Sequence, residues 1–168
     1  DMGIYNFFSK KFLNEETPSM FNLSYKKSQG LRYGENPHQK AAFYIDENLN
    51  EPSVSNAKQL HGKEMSYNNI MDTNAAVEIV KEFNVPATTI IKHANPCGTA
   101  IGKDIDEAFT KAYESDPLSA FGGIIALNRK VTVKIAEYLS NKFTEVVVAP
   151  SYDDSAIEVL KKKKDIRL

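Results

Sequence analysis

The hydrophobic pattern is sharpest from residue 85 onward. Thr88-Thr89-Ile90-Ile91 is a β-branched run of the length of a buried strand and too short for a helix. It leads into Asn95-Pro96-Cys97-Gly98, which reads as a turn. Ile105, Ala108, Phe109, Ala112 and Tyr113 then recur at helical spacing, one face of an amphipathic helix, with Asp104 and Glu107 placed to start it. Gly122 to Leu127 reads as a second strand, and Thr132 to Ser140 as a second helix with Ile135, Ala136 and Leu139 inward. Val146-Val147-Val148 is a third strand closed by Pro150, and Ser151 and Asp154 open a last helix through Lys164. Strands that are apolar throughout, alternating with helices, predict an α/β fold with a mostly parallel sheet covered by helices on both faces.

The first half is less regular. Ala41 to Ile45 reads as a strand, and Asn69 to Phe83 as a helix carrying Ile70, Val77 and Val80. In Asp1 to Leu13 the apolar Phe7, Phe8 and Phe12 are interleaved with Ser9, Lys10 and Lys11, which suits the last turns of a helix and not a signal peptide. A start at Asp1 and an end at Asp165-Ile166-Arg167-Leu168, which has the look of a new strand opening, are expected of a fragment of a longer protein.

Composition narrows the class. The 168 residues carry 21 Lys+Arg against 22 Asp+Glu, a net charge of −1, and such a balance argues against a non-specific nucleic-acid binder. No run approaches the roughly 18 apolar residues of a membrane span. The single cysteine, Cys97, can form neither an internal disulfide nor a multi-thiolate zinc site, so a reducing compartment, the cytoplasm, is expected.

Ligands of open α/β sheets bind beyond the carboxyl ends of the strands, and the Thr88–Ile91 strand runs out into Lys92 and His93. Neighbours on a regular strand point to opposite faces, so the two share a site only where the strand breaks. The Asn-Pro turn is the expected break. A histidine beside an ammonium is favoured in its neutral form, the form a general base requires; the plainer alternative is a surface lysine and a histidine bonding a loop carbonyl. A second polar segment, Leu31 to Gln39, holds Arg32, a planar fork for a phosphate, and Tyr33, a stacking face, or is simply a polar turn. Gly122-Gly123 permits close approach of backbone to a ligand, and Glu145 stands at the opening of the third strand. His38, His61 and His93 have no local metal-ligand spacing, so structural roles are expected of His38 and His61. Lys161 to Lys164 reads as a solvated helix end suited to the macrodipole, or as a phosphate site.

Four blocks, LRYGENPHQ (31–39), MSYNNIMDTN (65–74), KHANPCG (92–98) and DPLSAFGGIIAL (116–127), together resemble the bifunctional purine-biosynthesis enzymes. These join 5-aminoimidazole-4-carboxamide ribonucleotide (AICAR) formyltransferase to IMP cyclohydrolase, and the bacterial form is the nearer likeness. The resemblance covers part of such an enzyme. It implies that residues 1–25 are the end of the cyclohydrolase domain, and that 26–168 are the first, incomplete, cytidine-deaminase-like α/β/α unit of the transformylase domain. It implies formyl transfer from 10-formyltetrahydrofolate to AICAR, with Lys92 and His93 catalytic. Arg32, Tyr33, His93, Gly122 and Glu145 are implied to bind AICAR, in a homodimer and without a metal; a non-catalytic nucleotide-binding or dimerisation module of the same fold is the alternative. Zinc deaminases of the related fold use H-x-E and P-C-x-x-C, but here His93-Ala94-Asn95 lacks the glutamate and Pro96-Cys97 lacks the second thiol.

Overall fold

The computed structural model describes residues 2–13 and 23–168. Helix α1 (Met2–Phe8) continues into a π-helical turn over Ser9–Leu13, in keeping with the helical reading of that stretch. The junction expected at residue 25 adjoins residues 14–22, which lie outside the described residues, as does Asp1. A two-stranded antiparallel sheet follows, β1 (Lys26–Leu31) paired with β2 (Ala41–Ile45). The sequence marks β2, whereas β1, KKSQGL, has no apolar alternation to announce it.

The rest of the chain runs α2 (Tyr67–Val80), β3 (Ala87–Lys92), β4 (Asn95–Ile101), α3 (Ile105–Ser115), β5 (Ile124–Leu127), α4 (Val133–Ser140), β6 (Val146–Val148) and α5 (Asp154–Leu160). The second sheet has the order β4-β3-β5-β6. It is mixed, which corrects the expectation of a mostly parallel sheet: β3 pairs antiparallel with both β4 and β5, and only β5 with β6 is parallel. The cause is β4. Asn95 to Gly98, expected as a turn, is the first half of a strand that folds straight back on β3. The crossover through α3 therefore starts from β4, and β3 runs against the other three strands. Pro96 is tolerated because β4 lies at the edge of the sheet and its ladder is broken by a bulge at Ile90/Ile91.

Alternate residues of the central strands face two cores. Ala87, Ile91, Ile124, Ala126 and Val146 pack with Ala76 and Val80 of α2. Ile90, Ile125, Leu127 and Val147 pack with α3, α4 and α5. Helices thus cover both faces, as the all-apolar strands predict. Helix α3 buries the five residues its spacing selects, and each large one contributes about 1.5–3 kcal/mol. Its cap is Asp104, whose carboxylate accepts the Glu107 N–H at 2.8 Å, while Glu107 reaches back to the N–H of Lys103 at 2.9 Å.

Beyond β6 the chain adds one more parallel bridge, Val146 with Arg167. Val147 N–H donates to the Arg167 carbonyl, and Arg167 N–H donates to the Glu145 carbonyl, both at 2.9 Å. The strand expected to open at Asp165–Leu168 does join the sheet, and it sets Arg167 beside Glu145.

Candidate active site

The site grows from the hairpin that joins β3 to β4. Its two loop residues, His93 and Ala94, have φ of 53° and 59°, the left-handed conformation that a two-residue hairpin of this twist requires and that Asn-Gly usually supplies. For residues with a Cβ this costs roughly 1–2 kcal/mol each. The cost is offset from α2: the Asp72 carboxylate accepts the Ala94 N–H at 2.7 Å and the His93 N–H at 3.2 Å. Bonds to an ionised acceptor are the stronger kind. Asn95 adds a bond from its side-chain amide to the His93 carbonyl at 2.8 Å. The strand does break where Lys92 and His93 need it to, but at His93-Ala94 and not at Asn-Pro.

The break lets both residues line one cleft of about 300 Å³, together with Ser66, Asn69, Asp72, Gly122, Phe143 and Glu145. Lys92 Nζ donates to the Phe121 carbonyl at 2.5 Å, which tethers the ammonium to the loop before β5. Gly122 has φ 71°, and a Cβ there would stand 3.0 Å from the Phe143 ring. Its N–H is taken by the Phe143 carbonyl at 2.9 Å, so the group it can offer a ligand is its own carbonyl. Glu145 is held by the Asn69 side-chain amide at 2.6 Å, with the Arg167 guanidinium 3.7 Å away, both on Oε2. Asn69 is fixed in turn, because its Oδ1 accepts from Ser66 N–H at 3.1 Å and Ser66 Oγ at 2.8 Å in the capping box that starts α2.

Four of the six expected site residues, Lys92, His93, Gly122 and Glu145, therefore meet in one cleft. Arg32 and Tyr33 do not line it. They follow β1 in the other sheet, with the Arg32 guanidinium 5.7 Å above the Tyr33 ring. Asp72 and Asn69 are site residues that the spacing of the sequence alone did not single out. The signal available was a helix with unusually polar positions: Asn69 and Thr73 are buried on α2.

The histidines remain apart in role. His61 bonds the Lys163 carbonyl at 3.0 Å, and His38 is exposed in the β1–β2 loop. Among the described residues no group of three or more His, Cys, Asp or Glu side chains is set to hold a metal. Cys97 points its thiol at the Ile90 carbonyl, 3.6 Å away, and burial pushes the thiol pKa up.

A family model described as the AICARFT/IMPCHase bienzyme matches residues 1–168. The chain belongs to this family. Over its whole length it is 55% identical to the bifunctional purine biosynthesis protein PurH of Oceanobacillus iheyensis and 52% identical to that of Bacillus cytotoxicus. It is 54% identical over 156 residues to the PurH of Halalkalibacterium halodurans, covering 93% of this chain and 30% of that protein. The chain spans about a third of the length of the curated relatives it matches, 33% of the first two. The bienzymes it is similar to are enzymes of purine biosynthesis, and the described residues include no helix long and apolar enough to cross a membrane.

Proposed function

We propose that this chain supplies the acceptor end of a formyl-transfer site, within a cytidine-deaminase-like unit of the bienzyme. The reaction moves the formyl group of 10-formyltetrahydrofolate onto the 5-amino group of AICAR. The observation that carries the reading is the convergence of Lys92 and His93, neighbours in sequence, on one cleft with Gly122 and Glu145. The acceptor amine is conjugated with an electron-poor imidazole carboxamide and is a weak nucleophile, so the step needing help is loss of its proton as it attacks. The amine nitrogen forms a bond to the formyl carbon, and the bond from that carbon to N10 of the folate breaks. The electron pair leaves on N10, which takes up one proton as the amine gives one up.

Lys92 and His93 act as a pair around that proton. The imidazole is the group able to accept it near neutrality, and the tethered ammonium places positive charge beside the developing oxyanion. Glu145 Oε1, opposite the oxygen held by Asn69 and Arg167, is available to accept from ligand hydroxyls. Arg32 and Tyr33 belong to this reading as nucleotide contacts contributed from outside the cleft, through the homodimer that the resemblance implies.

The test uses the full-length bienzyme, following release of tetrahydrofolate with AICAR as acceptor. Lys92→Ala and His93→Ala are each expected to lower turnover by about 10²–10⁴-fold, while closure of the formylated product to IMP stays at its original rate. Unchanged formyl transfer in both variants would overturn the reading and move the chemistry to another part of the protein.

A further inference from the structure

The proposed chemistry uses Lys92, the last residue of β3, and His93, the first of the hairpin loop, and depends on what holds the loop so that both face one cleft. Their backbone sits in a turn that His-Ala is a poor sequence to make, since neither residue is glycine and both have φ near +55°. Inside β3 the ladder fixes direction as far as Lys92, whose Cα partner is Asn95. Past that point the hairpin has only two loop residues. Both loop N–H groups point the same way, and both end on the two oxygens of a single carboxylate carried by a different element. Helix α2 is anchored independently, by its capping box and by Ala76 and Val80 in the core against β3 and β5.

We propose that Asp72 is a positioning residue for formyl transfer. Its two carboxylate oxygens clamp the left-handed His93–Ala94 turn, and so fix where Lys92 and His93 meet the reacting atoms. The inference rests on the formyl-transfer reading. Asp72 acts through the backbone of the turn, whose two N–H groups its carboxylate accepts. Without the clamp the His-Ala turn relaxes toward negative φ, His93 leaves the cleft and the Lys92 tether to Phe121 is disturbed. A shift of about 1 Å at a catalytic group costs on the order of 10²-fold in rate.

The experiment is formyl transfer by the full-length bienzyme carrying Asp72→Ala, Asp72→Asn, Ala94→Gly and the double variant Asp72→Ala/Ala94→Gly. Asp72→Ala is expected to lower kcat by about 30–100-fold, with KM for AICAR moving less than about threefold. Asp72→Asn, which keeps one acceptor oxygen but turns an amide toward the second N–H, falls between. Ala94→Gly removes the strain at one of the two positions and leaves the wild-type rate within about threefold. In the double variant it recovers at least about tenfold of the lost kcat, because a glycine holds the turn without help. A purely structural carboxylate would lower the thermal midpoint and the amount of folded enzyme, with kcat per folded active site unchanged, and that result overturns the proposal. So does a rise in KM alone, which would make Asp72 a substrate contact, or a double variant no faster than Asp72→Ala. If Lys92→Ala and His93→Ala leave formyl transfer intact, the formyl-transfer reading falls. If those two abolish it and Asp72→Ala does not, the positioning role alone falls.

Discussion

Single residues in this chain are constrained by what stands next to them, and two glycines show the range. Gly98 in β4 lies under α3 so closely that an added Cβ would stand 1.9 Å from the Ala112 carbonyl oxygen. The obstacle is backbone in the middle of a packed helix, so it cannot swing aside. Gly98→Ala is expected to destabilise the chain by about 3 kcal/mol, the top of the usual overpacking range, as read from the urea midpoint. Gly30 in β1 is the control: its Cβ would meet only the end of the Lys27 side chain at 4.0 Å, so Gly30→Ala should stay within about 0.5 kcal/mol. Equal costs at the two sites would mean that β4 and α3 are not packed as described. The lysine run near the end makes a similar point about context. Lys161 to Lys164 reads as a solvated helix end, yet Lys163 is half-buried and its ammonium donates to the carbonyls of Leu139 and Ser140, each at 3.1 Å, and to that of Lys142. It closes the end of α4 from the turn that follows α5, a job that a block of like charges does not advertise.

Elements follow from the same local rules when both faces are buried, and escape them when one is not. The cap of α3 gives a measurable consequence. Glu107 accepts the Lys103 N–H and pairs with Lys111 at 3.0 Å, and these two contacts, the backbone bond first, hold its carboxyl below the ordinary value of 4.5. The unfolded chain takes up the proton first as pH falls, so the stabilisation is fully present above about pH 4.5 and is lost as pH drops through the lowered folded value. Glu107→Gln should therefore lower stability at neutral pH and leave the most acid end of a stability-against-pH profile nearly unchanged, which flattens the acid limb; an unaltered acid limb would remove the linkage. Helix α3 and strands β3, β5 and β6 were legible because periodicity and continuous apolarity report burial directly. Strand β4 was not, because as an edge strand it is largely exposed, carries Pro96 and contains Gly98, all marks of a turn. With it went the direction of β3, and hence the parallel sheet. The pair Lys92-His93 was legible as a dense polar end to an apolar strand. Asp72 and Asn69 were not, because their partners lie 21, 22 and 76 residues away along the chain.

At the scale of the whole molecule, the cleft is an incomplete container for a nucleotide. Its volume of about 300 Å³ is at the lower end of what ligand pockets offer. Its lysine, Lys92, is set against the carboxylates of Asp72 and Glu145, so a phosphate finds no net positive charge there. The Arg32 fork and the Tyr33 ring lie beyond β1 in the two-stranded sheet and do not line it. The larger cavity, about 590 Å³, is lined by Phe43, Met65, Tyr152 and Leu168 among others, and shares none of the four converging site residues. A nucleotide bound by the 168 residues alone would keep its phosphate in water and gain only the contacts of one open cleft. We therefore expect calorimetry to give the isolated chain a Kd for AICAR weaker than micromolar. The full-length bienzyme should bind at least about 100-fold more tightly, a difference of about 2.7 kcal/mol. That gap measures what the rest of the protein adds, because the cleft residues are the same in both. Sub-micromolar binding by the isolated chain would mean that a complete nucleotide site already exists here, and that Arg32 and Tyr33 need no interface to reach it.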